Sequence, residues 1–193
     1  MPLSERYERA LVWAARKHAR QVRKGTTIPY VSHLLAVSSL ALEHGADEDE
    51  AIAALLHDAV EDQGGPRTRE EIRAEFGERV ASIVDGCTDT DQDPKPPWRP
   101  RKEAYVAHIA EAPPSVLLVS ACDKLHNARS ILSDLRATGP AVWDRFTGKR
   151  DGTLWYYRAL ADAFAAAGAP KGLVADLARV VREMEAEAVS RRA

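Results

Sequence analysis

The amino-acid sequence predicts an all-α fold, and three observations carry that expectation. No stretch alternates apolar and polar residues in the manner of a half-buried strand. Two stretches, 51–62 and 115–135, are apolar over most of a helical surface, as buried helices are. Helix start and stop signals recur along the chain. Ser4, Asp47 with Glu50, and Thr68 with Glu71 read as starts; Gly45, Gly77 and Gly139-Pro140 read as stops.

The 193 residues suffice for one domain with a substantial core, taken here as 1–193. Hydrophobic residues make up 45% and charged residues 29%, a soluble globular balance. The net charge of −2 argues against a nucleic-acid partner but leaves room for a small anionic ligand. Cys87 and Cys122 form neither a metal-type spacing nor a disulfide framework, which points to a reducing, cytoplasmic setting. No apolar run is long enough to span a membrane, and the N-terminal MPLSERYERA lacks a signal-peptide core.

The first helix is expected from Ser4, with Tyr7, Leu11, Ala14, Ala15 and His18 on one buried face. His18 reads as a core or rim histidine. In 20–30, Gly25 and Pro29 break the helix, and Arg20, Arg23 and Lys24 cluster before the turn. That cluster is either a solvated basic turn or a phosphate clamp. A second, strongly apolar helix spans about 32–43 and carries His33 in its first turn.

A third helix starts at Asp47 and runs to Asp62. Eight of the twelve residues in its 51–62 stretch, AIAALLHDAVED, are Ala, Ile, Leu or Val, yet its end holds His57, Asp58, Glu61 and Asp62. Helical spacing stacks His57 with Glu61 and Asp58 with Asp62. Three neighbouring carboxylates on a buried helix repel one another, and a bound cation would offset both the repulsion and the burial. Gly64-Gly65-Pro66 ends this helix, and two scaffold helices follow, starting at Thr68 and around Val80.

Residues 88–100 form the longest irregular segment. Asp89, Asp91 and Asp93 have the spacing that opens a calcium loop, but Pro94 and Pro100 occupy the positions that need glycine and glutamate, so that site is rejected. A helix over 101–112, bearing His108, is expected to end at Pro113-Pro114. In 115–135, Asp123, Asn127 and Ser130 share one stripe, and the buried aspartate needs a partner from elsewhere in the fold. His126 points to another side and reads as structural. Lys149 and Arg150 are either surface charges or a second cationic arm. An aromatic-rich helix over 153–168, one of whose tyrosines can reach a base, and an amphipathic helix over 170–192 close the chain.

Four segments in order, RKG at 23–25, PYVSH at 29–33, HDAVED at 57–62 and DKLHNARS at 123–130, resemble the HD metal-dependent phosphohydrolase superfamily. Within it they resemble the SpoT-like branch, the hydrolases of guanosine tetraphosphate (ppGpp). The resemblance runs from Leu11 to Tyr157 and implies about nine helices around a central bundle. It implies His33, His57, Asp58 and Asp123 as ligands of one Mn²⁺ per chain. A single ion is favoured because binuclear relatives have additional histidines where this chain has His108 alone. It implies Glu61 as the group that activates water, with Asp62 assisting. Arg23 would lie against the base, Lys24 would meet phosphate, Asn127 the ribose or reacting phosphate, and Ser130 the base. The chain has Leu34 where the family has proline, and Ser130 where it often has threonine. The implied reaction removes the 3′-pyrophosphate of (p)ppGpp. Hydrolysis of another nucleotide such as NADPH, or a catalytically inactive helical binding module, are the alternatives.

Overall fold

Ten α-helices and one 3₁₀ helix make up the chain in a computed structural model that describes residues 2–92 and 94–191. They are α1 (Glu5–Lys17), α2 (Val31–Glu43), α3 (Glu48–Leu56), α4 (Ala59–Asp62), α5 (Gly65–Phe76), α6 (Glu78–Cys87), α7 (Trp98–Ile109), α8 (Pro114–Thr138), the 3₁₀ helix Gly139–Arg145, α9 (Lys149–Ala166) and α10 (Lys171–Ser190). Counting α3 and α4 as one broken helix gives nine. No strand forms among the described residues; Val22 and Pro29 make one isolated antiparallel bridge that closes the turn between α1 and α2.

The bundle is built around α8, which packs against α2, α3, α6, α9 and α10. Its inward face buries Leu117, Leu118, Ala121, Leu125, Ala128 and Leu132. The six residues from Ala51 to Leu56 are all buried, so α3 is covered on every side as its composition requires. Ser4 caps α1, its hydroxyl accepting from the Arg6 amide, and Asp47 with Glu50 forms the expected capping box on α3.

The third helix does not run unbroken to Asp62. The chain turns at His57-Asp58, with Asp58 at φ −95°, ψ −4°, and resumes as α4. On a straight helix adjacent side chains diverge by about 100°. The turn instead lets His57 and Asp58 aim at one point, with His57 Nε2 3.0 Å from Asp58 Oδ2.

The capping box expected at Thr68 does not form. Pro66 falls in the first turn of α5, where its fixed φ suits a helix start, so the helix begins three residues early. Thr68 is then interior and donates to the Gln63 carbonyl at 2.6 Å, while Glu71 accepts from Lys17 at 2.5 Å. For the same reason Pro113-Pro114 opens α8 instead of ending α7. Helix α7 starts at Trp98, three residues before the expected Arg101, and α9 starts at Lys149 instead of Thr153. Asp93 lies outside the described residues. Asp89 and Asp91 are taken by cations, Asp89 by Arg101 and Lys102 and Asp91 by Arg69, in keeping with the rejected calcium loop.

Candidate active site

Three elements bring four donors together. Helix α2 supplies His33, the turn between α3 and α4 supplies His57 and Asp58, and the middle of α8 supplies Asp123. His33 Nε2 lies 3.4 Å from Asp58 Oδ2 and 3.2 Å from Asp123 Oδ1. His57 Nε2 lies 3.0 Å and 3.6 Å from the same two atoms. Both Nε2 atoms are buried and neither is satisfied by a hydrogen bond. They face a common centre instead of aiming a proton at one acceptor.

Each donor is fixed from behind. His57 Nδ1 lies 2.8 Å from the Ala54 carbonyl, which makes Nδ1 the protonated nitrogen and leaves the Nε2 lone pair turned inward. His33 Nδ1 lies 2.7 Å from His126 Nδ1. Burial, together with His33 and Arg23, pushes His126 down to about 4, so its ring is neutral and can accept from His33. The Tyr30 hydroxyl donates to Asp58 Oδ2 at 2.6 Å. Asn127 Nδ2 donates to Asp123 Oδ1, and Lys124 Nζ to its Oδ2, each at 2.5 Å.

Burial weighs against charge on His57, but the Asp58 and Asp123 carboxylates beside it hold its pKa well above the ordinary value. Burial weighs equally against charge on both carboxylates. His57 and His33 nevertheless hold Asp58 well below the usual range, and Lys124 with the same two imidazoles does so for Asp123. The four groups thus call for positive charge at their centre. A divalent cation at that centre would supply it, and would take the place of the proton that the two carboxylates favour on His57. Two imidazoles and two carboxylates form a mixed nitrogen and oxygen donor set that suits such an ion.

The main cavity, about 830 Å³, opens beside this cluster. It is lined by Arg23, Lys24, Asn127 and Ser130, all four residues expected to meet substrate, and by Asp62, Lys95 and Tyr157. Arg23 and Asn127, 104 residues apart, are joined by a hydrogen bond from Nη2 to Oδ1 at 2.7 Å. The Ser130 hydroxyl donates to the His126 carbonyl at 3.0 Å, so toward the cavity it is an acceptor. Glu61 accepts from Lys95 Nζ at 2.7 Å. Burial and the neighbouring Asp58 raise Asp62 to about 6.

Several site residues are not evident from sequence spacing alone. His126 is not simply structural; it lies three residues beyond Asp123, close enough around α8 for its ring to reach His33. Lys95, Arg101 and Lys102 bring positive charge beside Glu61 and Lys24 from the irregular segment and α7. Lys149 is not part of this arm: its ammonium pairs with Asp144 at 3.0 Å and is mostly exposed. Arg150 pairs with Asp151 at 3.2 Å. His108 is exposed and lies 3.1 Å from the Gly86 carbonyl, outside the cluster. Cys87 and Cys122 are buried free thiols. No described helix is long and apolar enough to cross a membrane.

Comparison with known proteins agrees with this geometry. The profile of the HD domain matches residues 10–154. A zebrafish (Danio rerio) protein named guanosine-3′,5′-bis(diphosphate) 3′-pyrophosphohydrolase MESH1 is 38% identical over 136 residues, covering 68% of this chain and 69% of its own. The enzyme of the same activity name from Aquifex aeolicus is 36% identical over 128 residues, but these are only 18% of its length. The chain therefore spans less than a fifth of such long curated relatives. Among solved structures, a metazoan orthologue of SpoT, described as hydrolysing ppGpp, superposes with a TM-score of 0.79 at 28% identity, covering 95% of this chain and 97% of that one. A matching profile over three quarters of the chain, four converging His and Asp side chains and an all-helical bundle place the chain in the HD domain family.

Proposed function

We propose that this protein is a manganese-dependent hydrolase that removes the 3′-pyrophosphate of ppGpp and pppGpp, leaving GDP or GTP, with its helices acting as one hydrolase domain. The observation that carries the reading is the inward-facing pair of buried, unsatisfied Nε2 atoms of His33 and His57, flanked by Asp58 and Asp123. The relatives named for this activity support the choice of substrate. Manganese fits a donor set between the soft and hard extremes. When bound, the ion supplies Lewis acidity toward the reacting phosphate and toward water.

The remaining chemistry belongs to side chains of this chain. A water oxygen bonds to the phosphorus attached to O3′, the P–O3′ bond breaks, and the 3′ oxygen leaves as the hydroxyl, with the proton that water gives up by way of Glu61. Glu61, one turn beyond His57, takes the proton from water, and Asp62 orients that water. Lys95 holds Glu61 until phosphate oxygens compete for its ammonium. Arg23 lies with its guanidinium 5.7 Å from the Tyr30 ring centre and offers a flat cation for a base to stack on. Lys24 contributes a point charge for phosphate, and Asn127 both donates and accepts without adding charge.

The test is a panel of ppGpp, pppGpp, GTP, NADPH and a generic phosphodiester with added Mn²⁺, with products identified. The expected outcome is pyrophosphate from ppGpp and pppGpp at rates well above the others. Faster turnover of NADPH or the diester, or orthophosphate in place of pyrophosphate, would defeat the substrate assignment.

A further inference from the structure

Gln21 sits in the turn after α1 and has no part in the chemistry described so far, yet its amide joins three other side chains. Its Nε2 donates to Asp62 Oδ2 at 2.8 Å. Its Oε1 accepts from Gln63 Nε2 at 2.6 Å and lies 2.6 Å from His18 Nδ1. These contacts admit one arrangement. The Asp62 carboxylate only accepts, so the Gln21 amide hydrogens face it, and Oε1 is left to accept from Gln63 Nε2. His18 must then donate through Nδ1. Burial lowers its pKa, so the ring is neutral. That ring is buried and stacks on Tyr30 at 5.3 Å with 16° between planes, and Tyr30 donates to the ligand Asp58.

We infer that Gln21 is a positioning residue for hydrolysis: it fixes the working orientation of the Asp62 carboxylate and ties it, through His18 and Tyr30, to the ligand Asp58. The inference rests on the catalytic reading of Asp62 proposed above.

The surroundings explain why such a clamp is needed. Asp62 lines two cavities, the main one and a second of about 520 Å³ on the α1 side. Lys95 Nζ lies 4.0 Å from it on one side, and Arg16, Lys17 and Arg20 line the second cavity on the other. Asp58 and Glu61 repel it from its own segment. Lys17 is already paired with Glu71. A carboxylate in this position has several favourable orientations, and one neutral donor anchored by two further hydrogen bonds selects among them without adding charge. The anchor is the same turn that holds Tyr30, whose amide donates to the Gln21 carbonyl at 2.9 Å. Metal ligand and water-orienting acid are thus referred to one piece of backbone.

The experiment uses the full chain loaded with Mn²⁺ and assayed on ppGpp. Gln21→Met removes the hydrogen bonds at similar length. Gln21→Glu keeps the acceptor face toward His18 and Gln63 but turns a second carboxylate on Asp62, and it guards against a packing artefact of the first variant. Both are expected to keep wild-type metal content by elemental analysis and KM within about twofold, while kcat falls roughly 10–100-fold, the usual cost of misplacing a reacting group. Combining Gln21→Met with Asp62→Asn should be no slower than Asp62→Asn alone, because residues acting through one another are not additive. The inference is overturned if both Gln21 variants keep wild-type kcat while Asp62→Asn is slow, or if the two losses multiply in the double variant. Full rate in Asp62→Asn overturns the role of Asp62 itself, and Gln21 with it.

Discussion

The two ends of the active site are held in different ways. At the metal end each donor has a partner behind it that takes no part in the proposed chemistry: the Ala54 carbonyl behind His57, His126 behind His33, Tyr30 behind Asp58, Lys124 behind Asp123; Asn127, which also bonds Asp123, links this end to the other. At the end proposed to hold the nucleotide, the partners are themselves residues given roles in that proposal. Arg23 is bonded to Asn127, and Lys95 to Glu61. The first end is pre-organised for a cation, whereas the second must exchange its internal hydrogen bonds for substrate. Losses at the metal end should therefore appear in metal content, and losses at the nucleotide end in kcat and KM with the metal retained.

The largest effect is expected for Asp58→Ala. It removes a ligand and leaves the Tyr30 hydroxyl and two imidazoles facing an uncompensated pocket. Bound manganese and turnover should both disappear. Stoichiometric metal in a folded variant would refute the four-ligand site.

Glu61→Gln belongs to the other end. It should keep the metal and the fold and lose about 10²–10⁴-fold in kcat, the usual weight of a general base. A near-normal rate would assign the base to Asp62. Metal loss in this variant would break the division between the two ends.

His126→Leu tests whether a residue outside the four-ligand set belongs to the metal end. With its acceptor gone, His33 loses the bond that fixes its ring, and Mn²⁺ affinity by calorimetry should weaken about 10–100-fold. His126→Asn, which returns an acceptor near the position of Nδ1, should recover much of that loss. Unchanged affinity in the leucine variant would reduce His126 to packing.

What the sequence discloses follows the same division. His57, Asp58 and Asp123 are legible as buried polar groups on apolar helices that need an explanation; His33, and the four as one ligand set, are legible only through the resemblance of PYVSH, HDAVED and DKLHNARS to the HD superfamily. The break at Asp58 is not legible: no glycine or proline marks it, and Tyr30, whose hydroxyl bonds Asp58 there, comes from another part of the chain. His126 is misread because a helical wheel separates it from Asp123, while the ring is long enough to bridge sideways to α2. The cations beside Glu61 are invisible to local reasoning: Lys95 pairs with Glu61, and Lys102 lines the same small cavity, only once the residues around Lys95 and α7 come together at the site. Lys149, nearer in pattern to a phosphate arm, is drawn off by Asp144.

The smallest effect tests how the nucleotide end is walled. The indole of Trp98 lies across Gly148 and Gly152 at the start of α9, and a Cβ added to Gly148 would meet the ring at 2.6 Å. Gly148 is not in the left-handed region, so the constraint is the close approach and not the backbone. Gly148→Ala must push Trp98 aside, and Trp98 lines the small cavity shared by Lys24, Glu61, Arg101 and Lys102. Overpacking of this kind costs about 1–3 kcal/mol, to be read by chemical denaturation. Manganese content should be unchanged, because no metal ligand touches this wall. KM for ppGpp should rise a fewfold as the cations shift. A variant that lost metal while its melting transition stayed cooperative would mean that the two ends are mechanically joined through α7 and α9, and the division drawn here would fail.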